Sequence, residues 1–226
     1  MSDPTPPTDL MQVAIGVPHP AFFRASGRVT ASAVLDCATR NGMASPKRVL
    51  DFGCGSGRVL APLTRAMPLA RFTAVDIDAR SLEWCRQTMS AQIEFMLSGP
   101  LPPLPQLDEQ DLIVAISVFT HLSPEMQRAW LSHLLDRLSP GGLIVLTVNG
   151  TGSLPALGEE VAEQVRRNGH VYVQDGGTQT LPDWYQLSVH SPQGVDALWG
   201  DIAAIVDYQP GAVLGFQDLV TLRPLR

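Results

Sequence analysis

The stretch Val49–Leu60 constrains the fold of this chain more than any other part of the sequence. It reads Val-Leu-Asp-Phe-Gly-Cys-Gly-Ser-Gly-Arg-Val-Leu. The residues Val49–Phe52 are mostly apolar and predict a short buried strand. The three glycines that follow predict a turn in conformations that residues with a Cβ rarely adopt. Arg58 opens an apolar-periodic run that predicts a helix to about Met67. A strand, a glycine turn and a helix in this order present free backbone N–H groups to a ligand.

Strand and helix patterns alternate five times along the first two thirds of the chain. Further helices are predicted over Gly27–Asn41, after the N-cap Asp78, and from the N-cap Ser123 to about Leu138. The predicted strands cover residues 49–52, 71–76, 93–97, 111–116 and 143–148, the last following a turn at 140–142. Short connections between alternating elements predict a Rossmann-like α/β fold. Its doubly wound sheet is mostly parallel, with helices on both faces.

The C-terminal part of the chain departs from this alternation. A last helix is predicted over Pro192–Trp199. Two strands follow, at Ile202–Val206 and Phe216–Leu222, joined by a turn region at Tyr208–Gly211. This link is too short for a parallel crossover, so the final pair should be antiparallel.

Two regions lie outside the regular pattern of what we expect to be a single domain over residues 1–226. Within an N-terminal lid or helix region, 1–44, Met1–Thr8 is predicted to be a disordered lead and Leu10–Phe23 an irregular packed segment. Residues 149–191 form a long insertion beyond the fifth strand. We expect this insertion to cover an acceptor pocket, because ligands bind at that edge of such sheets.

The composition excludes several classes of protein. With 226 residues, 45% of them hydrophobic and a net charge of −6, the chain suits a globular domain. The acidic balance disfavours nucleic acid or an anionic membrane as the main partner. No secretory signal or spanning helix is visible, and three dispersed cysteines indicate neither disulfides nor a metal site. We therefore expect a cytoplasmic protein without a metal; its oligomeric state cannot be read from the sequence.

The glycine turn resembles the first motif of the class I S-adenosylmethionine-dependent methyltransferases. It has the pattern G-x-G-x-G with Asp51 two residues ahead, whereas the dinucleotide fingerprint places its third glycine where this chain has Arg58. The stretches Asp111–Leu122 and Ser139–Leu143 resemble the family's fourth motif and the turn before its fifth strand. A parallel sheet that closes with an antiparallel strand is also a feature of this family. The resemblance implies S-adenosyl-L-methionine as cofactor.

The resemblance also implies which residues bind that cofactor. Asp76, at the end of the second strand, is expected to accept hydrogen bonds from the ribose diol, with Ile77 on one face of the adenine. The alternative is a capping role, for which Asp78 is better placed, and the glycine turn could likewise be purely structural. The full set of expected cofactor residues is Asp51, Gly53, Cys54, Gly55, Gly57, Arg58, Asp76, Ile77, Ser98, Gly99, Ser117 and Val118.

The acceptor side is less well defined by the sequence. His121 is the leading candidate for a general base, because it follows the fourth strand and titrates near neutrality in water. The alternative is that it supports the next helix. Trp184, Tyr185 and His190 are candidates for binding the substrate, although each alone has a structural explanation. The proline-rich segment 100–105 is expected to form a rigid pocket rim.

These features predict methyl transfer by in-line displacement to a small molecule, at oxygen rather than nitrogen. A base is required only if the acceptor keeps its proton until late in the reaction, because positioning supplies much of the acceleration. Two other functions stay open. The chain could be a non-catalytic cofactor-binding regulatory protein, or it could be a protein methyltransferase.

Overall fold

The structure, a computed structural model, describes residues 5–104, 107–173, 182 and 184–225. The first four residues of the predicted lead, Pro105 of the proline segment, and residues 174–181 and 183 of the insertion lie outside this description. The helices are α1 Thr8–Ile15, α2 Pro20–Arg40, α3 Leu60–Ala66, α4 Ala79–Thr88, α5 Pro124–Leu135, α6 Leu154–Leu157, α7 Glu159–Asn168 and α8 Pro192–Trp199. The strands are β1 Arg48–Phe52, β2 Arg71–Asp76, β3 Glu94–Leu97, β4 Gln110–Ala115, β5 Leu138–Asn149, β6 His170–Val173, β7 Leu187–His190, β8 Ala203–Val213 and β9 Gln217–Pro224.

The sheet confirms the predicted fold class. Its main body has the strand order β3-β2-β1-β4-β5, and all of these strands are parallel to their neighbours. Strand β9 runs antiparallel to β5 and also pairs with β8 in antiparallel fashion. The C-terminal antiparallel pair is therefore present as expected.

Helices cover both faces of the sheet and bury two separate cores. One core joins the sheet to α2, α3 and α4, and the other joins it to α5 and α8. Alternate residues of each strand point to opposite cores: Val49 belongs to the first and Leu50 to the second. The helices that follow the adjacent strands β1 and β4 thus lie on opposite faces. In open α/β sheets, ligands bind at the carboxyl ends of the two strands where such a reversal occurs.

The prediction of an irregular N-terminal segment was wrong. The segment contains α1 and the first turn of α2, and Thr8, placed in the disordered lead, is already helical. His19 caps α2 by accepting a hydrogen bond from the backbone N–H of Phe22, at 3.2 Å, and Pro20 occupies the first helical position. The buried side of α2 passes through small and polar residues, whereas Val29 is 52% exposed. An apolar pattern alone therefore missed the first two turns of this helix.

Two predicted turns were also misplaced. Strand β8 continues through Tyr208–Gly211, and the chain reverses at Leu214 and Gly215, which have φ values of 56° and 76°. A register irregularity between Gln209 and Val213 accommodates the proline and glycine inside the strand. Residues 140–142 similarly lie within β5, where the pairing with β4 shifts between Gln110 and Leu112.

The insertion after β5 builds a small unit of its own. Strands β6 and β7 pair in antiparallel fashion, and β7 joins the main sheet through the pair Asn149 and Val189. Val165 of α7 packs with Val171 and Val189 in a third, smaller apolar cluster. The insertion therefore extends the sheet beyond the carboxyl end of β5.

Helix α2 packs directly against the glycine turn, which makes Gly27 a sensitive position. A Cβ at Gly27 would lie 2.1 Å from the backbone oxygen of Arg58. We expect Gly27→Ala to lower the free energy of unfolding by about 2 kcal/mol, despite the better helix propensity of alanine. For a chain of this size the melting temperature should fall by about 6 °C. Differential scanning calorimetry measures this change.

The control is Ser32→Ala, at an exposed position of the same helix. It should leave the melting temperature unchanged or raise it slightly. Equal stability of the two variants would contradict the close packing of α2 on the turn.

Candidate functional site

The glycine turn is anchored to the end of β2. The backbone N–H groups of Gly53 and Cys54 donate to the carbonyl oxygen of Val75, at 2.7 and 3.0 Å. Gly53, Gly55 and Gly57 have φ values of 78°, 52° and 84°. All three lie in the left-handed region that glycine enters without steric cost. The predicted turn is therefore formed, although the helix after it begins at Leu60 and not at Arg58.

Two of these glycines allow close contacts and the third leaves space. A Cβ on Gly53 would lie 2.2 Å from Cγ2 of Val118, so the end of β1 touches the loop after β4. A Cβ on Gly57 would lie 3.0 Å from the sulfur of Met89. At Gly55 no atom lies within 4 Å of the corresponding position. The turn is thus packed at both ends and open in the middle.

Asp51 is buried beneath this turn with an incomplete set of partners. Its side chain is 2% exposed, and Oδ2 accepts no hydrogen bond. Burial, reinforced by the charge of Asp76, raises the pKa of Asp51 to about 7, and the positive charge of Arg58 partly opposes this shift. Partial burial lowers the pKa of Arg58, and its Nη1 donates to Oγ1 of Thr30 at 3.4 Å. A buried oxygen without a partner is a place where a donor or a cation would be stabilised.

Asp76 closes the other side of the turn. Its Oδ2 accepts from the backbone N–H of Gly55 at 2.6 Å, and Oδ1 accepts from that of Asp78 at 2.8 Å. A carboxylate has about four lone-pair sites, so both oxygens can accept further hydrogen bonds. Burial raises the pKa of Asp76 despite these two bonds. Asp78 caps α4 by accepting from Arg80 N and Ser81 N, which is the capping role expected for it.

Apolar side chains next to Asp76 are accessible to solvent. Ile77 is 44% exposed, and Leu97, which pairs with Asp76 across the sheet, is 52% exposed. The next residue, Ser98, donates its backbone N–H to the carbonyl oxygen of Asp76 at 2.9 Å, and Gly99 is exposed. Leu97 was missed as a candidate site residue because the sequence analysis counted it only as the last residue of the third predicted strand. These residues form an apolar flank at the carboxyl ends of β2 and β3.

The chain leaves β4 in a conformation that is unusual for a residue with a side chain. Ser117 has a φ of 62°, in the left-handed region. Its backbone N–H donates to Oγ1 of Thr147 at 2.8 Å, and its hydroxyl donates to Oε1 of Gln217 at 3.1 Å. These bonds hold the strained residue in place. Strained residues that are over-determined in this way cluster at functional sites.

His121 lies in the turn that follows and meets the insertion there. Its ring stacks on that of Tyr185, with centroids 4.1 Å apart and planes at 15°. Nδ1 of His121 is 3.0 Å from the carbonyl oxygen of Gln186. Trp184 packs against Tyr185 edge to face, at 6.1 Å. Three of the four predicted acceptor-side residues are therefore neighbours.

His190 lies apart from these three, in the core. It is 0% exposed, its Nε2 is 3.2 Å from Oε1 of Gln127, and its Nδ1 has no partner. Its ring contacts those of His170 and Trp199, at 4.9 and 5.9 Å. Burial, with a smaller contribution from His170, lowers the pKa of His190 to about 3. This position supports packing and not contact with a substrate.

Two amide side chains that the sequence analysis missed, one buried and one half-buried, hold the turn around His121. Nε2 of Gln127 donates to the carbonyl oxygens of Phe119 and Leu122 and to Oγ of Ser188, at 3.1, 2.9 and 2.9 Å. Nδ2 of Asn149 lies within hydrogen-bonding distance of the carbonyl oxygens of Thr120 and Ser188. A glutamine within the apolar stripe of α5 was the available signal. A buried amide is stable only when its hydrogen bonds are satisfied.

Comparisons with known proteins agree with this geometry. Residues 49–142 match a family described as a methyltransferase domain. The malonyl-[acyl-carrier protein] O-methyltransferase of Halalkalibacterium halodurans is 28% identical over 123 residues, covering 52% of this chain and 44% of that protein. The ribosomal RNA small subunit methyltransferase C of Pseudomonas aeruginosa is 32% identical over 116 residues, covering 48% and 34%. The chain thus spans less than half the length of these two relatives.

A solved structure extends the likeness to the whole fold. The CcbJ methyltransferase from Streptomyces caelestis superposes with a TM-score of 0.63 at 16% identity, covering 89% of this chain and 90% of that one. The chain therefore shares its fold with this methyltransferase, and residues 49–142 match the methyltransferase-domain family. Within the described part of the chain, no helix is long and apolar enough to cross a membrane. The described residues also contain no cluster of three or more metal-ligating side chains.

The buried His190 should make the folded protein sensitive to acid. The unfolded chain binds a proton near pH 6.5, whereas folded His190 binds one only near pH 3, so stability falls as the pH drops through this window. We expect His190 to account for a loss of about 2 kcal/mol between pH 7.5 and pH 5. Urea titrations of wild type and His190→Gln at both pH values measure it.

The variant removes this proton-binding difference but keeps a polar side chain of similar size. Its stability should therefore depend less steeply on pH than that of the wild type over this range. Parallel pH profiles for the two proteins would contradict the assignment of His190 to the core.

Proposed function

We propose that this protein transfers a methyl group from S-adenosyl-L-methionine to a small molecule, at an oxygen atom. The observation that carries the proposal is the buried Oδ2 of Asp51, which lacks a partner beneath an open glycine turn. A ligand that is cationic near this position would satisfy that oxygen. The family supports the same reading, because its cofactor carries an ammonium and a sulfonium charge.

The residues around the turn fit this cofactor. Backbone N–H groups and open space at Gly55 suit the methionine part, next to Asp51 and Arg58. Asp76 retains acceptor capacity for the two ribose hydroxyl groups. The exposed side chains of Ile77 and Leu97 offer apolar surface for an adenine ring. Ser98, Gly99, Ser117, Val118 and Cys54 complete the set that we propose to line the cofactor site.

When bound, the cofactor supplies an electrophilic methyl group on a sulfonium, which is an excellent leaving group. The protein then has to orient the acceptor and receive its proton. His121 follows Val118 by one turn, and its backbone N–H donates to the carbonyl oxygen of Val118 at 3.0 Å. We propose that His121 takes the proton that the acceptor oxygen loses. Trp184 and Tyr185 would contact the acceptor, with the insertion and the N-terminal region closing over it.

The proposal for a small acceptor rests on charge. The chain is acidic overall, with 16 basic and 22 acidic residues, which disfavours binding to an RNA backbone. The relatives differ in their named acceptors, which include an acyl-carrier protein and ribosomal RNA. The stacked rings of His121 and Tyr185 offer an aromatic surface that is better suited to a small organic molecule. We retain the cytoplasm as the predicted location, because the three cysteines are free thiols.

Calorimetry with S-adenosyl-L-methionine tests the first step of this proposal. We expect Asp76→Ala to weaken binding by on the order of 1–3 kcal/mol, because the ribose loses its acceptors and the turn loses the bond to Gly55. The matched control is Asp78→Ala, which removes the α4 cap and should weaken binding much less.

The absence of wild-type binding to either the cofactor or its demethylated product at sub-millimolar concentrations would refute the proposed function. Equal affinities for Asp76→Ala and the wild type would mean that the ribose is held by another residue.

The raised pKa of Asp51 predicts that cofactor binding depends on pH. A cation beside Asp51 favours its ionised form, so binding should release a proton near pH 7 and weaken as the pH falls. Between pH 8 and pH 6 the dissociation constant should rise by up to about tenfold through this group. Calorimetry at several pH values and in two buffers of different ionisation enthalpy measures both effects.

Asp51→Asn is the comparison. The titration of the ligand's own amino group is common to both proteins, so the difference between them reports on Asp51. If the variant shows the same pH dependence as the wild type, Asp51 is not the group that contacts the cation.

A further inference from the structure

His121 is held from outside its own loop by a segment of the insertion. The backbone N–H of Gln186 donates to the carbonyl oxygen of His121 at 3.3 Å, and that of Ser188 donates to Thr120 at 2.9 Å. The two segments therefore run side by side, far apart in sequence but joined by main-chain hydrogen bonds. The ring contacts of His121 are built on this fixed backbone.

The contact between Nδ1 of His121 and the carbonyl oxygen of Gln186 determines which ring nitrogen is basic. A carbonyl oxygen can only accept a hydrogen bond, so at 3.0 Å Nδ1 must carry the proton. In the neutral ring the lone pair then lies on Nε2. A histidine side chain in water prefers the opposite tautomer, with the proton on Nε2. The Gln186 carbonyl therefore selects the form in which Nε2 can accept a proton.

Tyr185 determines the orientation of the same ring. The two rings are nearly parallel, with an interplanar angle of 15° and centroids 4.1 Å apart. Tyr185 is itself fixed, because its backbone N–H donates to Pro182 at 2.8 Å. The hydroxyl of Tyr172 donates to the carbonyl oxygen of Trp184, which ties the segment to strand β6. Stacking restricts rotation of the imidazole about its side-chain bonds.

We propose that Tyr185 and the Gln186 carbonyl together position His121, so that Nε2 is the atom that receives the acceptor's proton. This inference rests on the proposed methyl transfer. In that step a lone pair of the acceptor oxygen forms the bond to the methyl carbon, the electrons of the broken C–S bond stay on sulfur, and the proton moves to Nε2. Tyr185 is a positioning residue in this scheme. The insertion therefore orients the base as well as covering the acceptor.

Nitrogen-15 NMR of histidine-labelled protein tests the positioning without any ligand or activity. The His121 signals are identified by their loss in His121→Asn. At a pH where the ring is neutral, we expect the wild type to show a protonated Nδ1 and an unprotonated Nε2. Tyr185→Leu should shift His121 toward the tautomer that predominates in water, whereas Tyr185→Phe, which keeps the stacking ring, should restore the wild-type pattern.

Two outcomes would overturn the inference. One is a wild-type His121 that carries its proton on Nε2, a result that does not depend on any variant folding. The other is a Tyr185→Leu protein, folded by its amide spectrum, whose His121 tautomer is unchanged. Calorimetry with S-adenosyl-L-methionine distinguishes these failures from failure of the proposed function, because cofactor binding does not require His121 to be positioned.

Once an acceptor is in hand, the same variants give a second reading. Tyr185→Leu should lower kcat at least tenfold more than it changes KM and should alter the pH profile of kcat, and Tyr185→Phe should recover both. A purely structural residue would change neither the tautomer nor the profile. A variant that alters only KM would contradict positioning.

Discussion

The contact between the glycine turn and the loop after β4 is the constraint on which the rest of the site depends. A Cβ on Gly53 would come within 2.2 Å of Val118, so only glycine lets the ends of β1 and β4 meet. The helices that follow these two strands lie on opposite faces of the sheet. Open α/β sheets bind their ligands at the strand ends where such helices diverge. Asp51 lies below this contact and the turn that carries His121 begins immediately beyond it. One close approach thus determines the spacing between the cofactor side and the acceptor side.

The electrostatics around this contact favour a cationic ligand. Asp51 and Asp76 are both buried, which raises the pKa of each, and the charge of Asp76 raises the pKa of Asp51 further. Arg58, which is partly buried, opposes only part of the shift at Asp51. Such an arrangement is costly for folding, because buried charges need partners. It becomes favourable when a cation binds, which gives the site a physical reason to discriminate a sulfonium and ammonium compound from a neutral analogue.

Polar side chains organise the turn around His121. Gln127 and Asn149 satisfy carbonyl oxygens in the turn around His121 and connect it to Ser188 of β7. Because these amides keep their partners only in this arrangement, the turn that carries His121 and strand β7 of the insertion are held together.

The parts that the sequence by itself determined are those governed by local rules. The strand and glycine turn, the caps at Asp78 and Ser123, and the alternation that builds a parallel sheet follow from backbone conformation and from side-chain periodicity. The closing antiparallel pair was also predictable, because its connection is too short for a crossover. The candidate residues of the cofactor side came from the resemblance to a known family and not from these local rules.

Only the tertiary structure decided what depends on partners distant in the chain. His190 was a candidate for substrate contact, but the pairing of β6 with β7 and the packing of α8 bury it. Tyr185 stacks on His121 although the two residues are far apart in the sequence, so no local pattern could predict this contact. The hydrogen bonds of Gln127 and Asn149 depend on the same folding of the chain. The final turn lies at Leu214 and Gly215, because hydrogen bonds to Asp218 hold Tyr208 and Gly211 within the strand. The local sequence determines which backbone conformations are preferred. Which side chains are buried, and which hydrogen bonds they form, depends on residues that only the folded chain brings together.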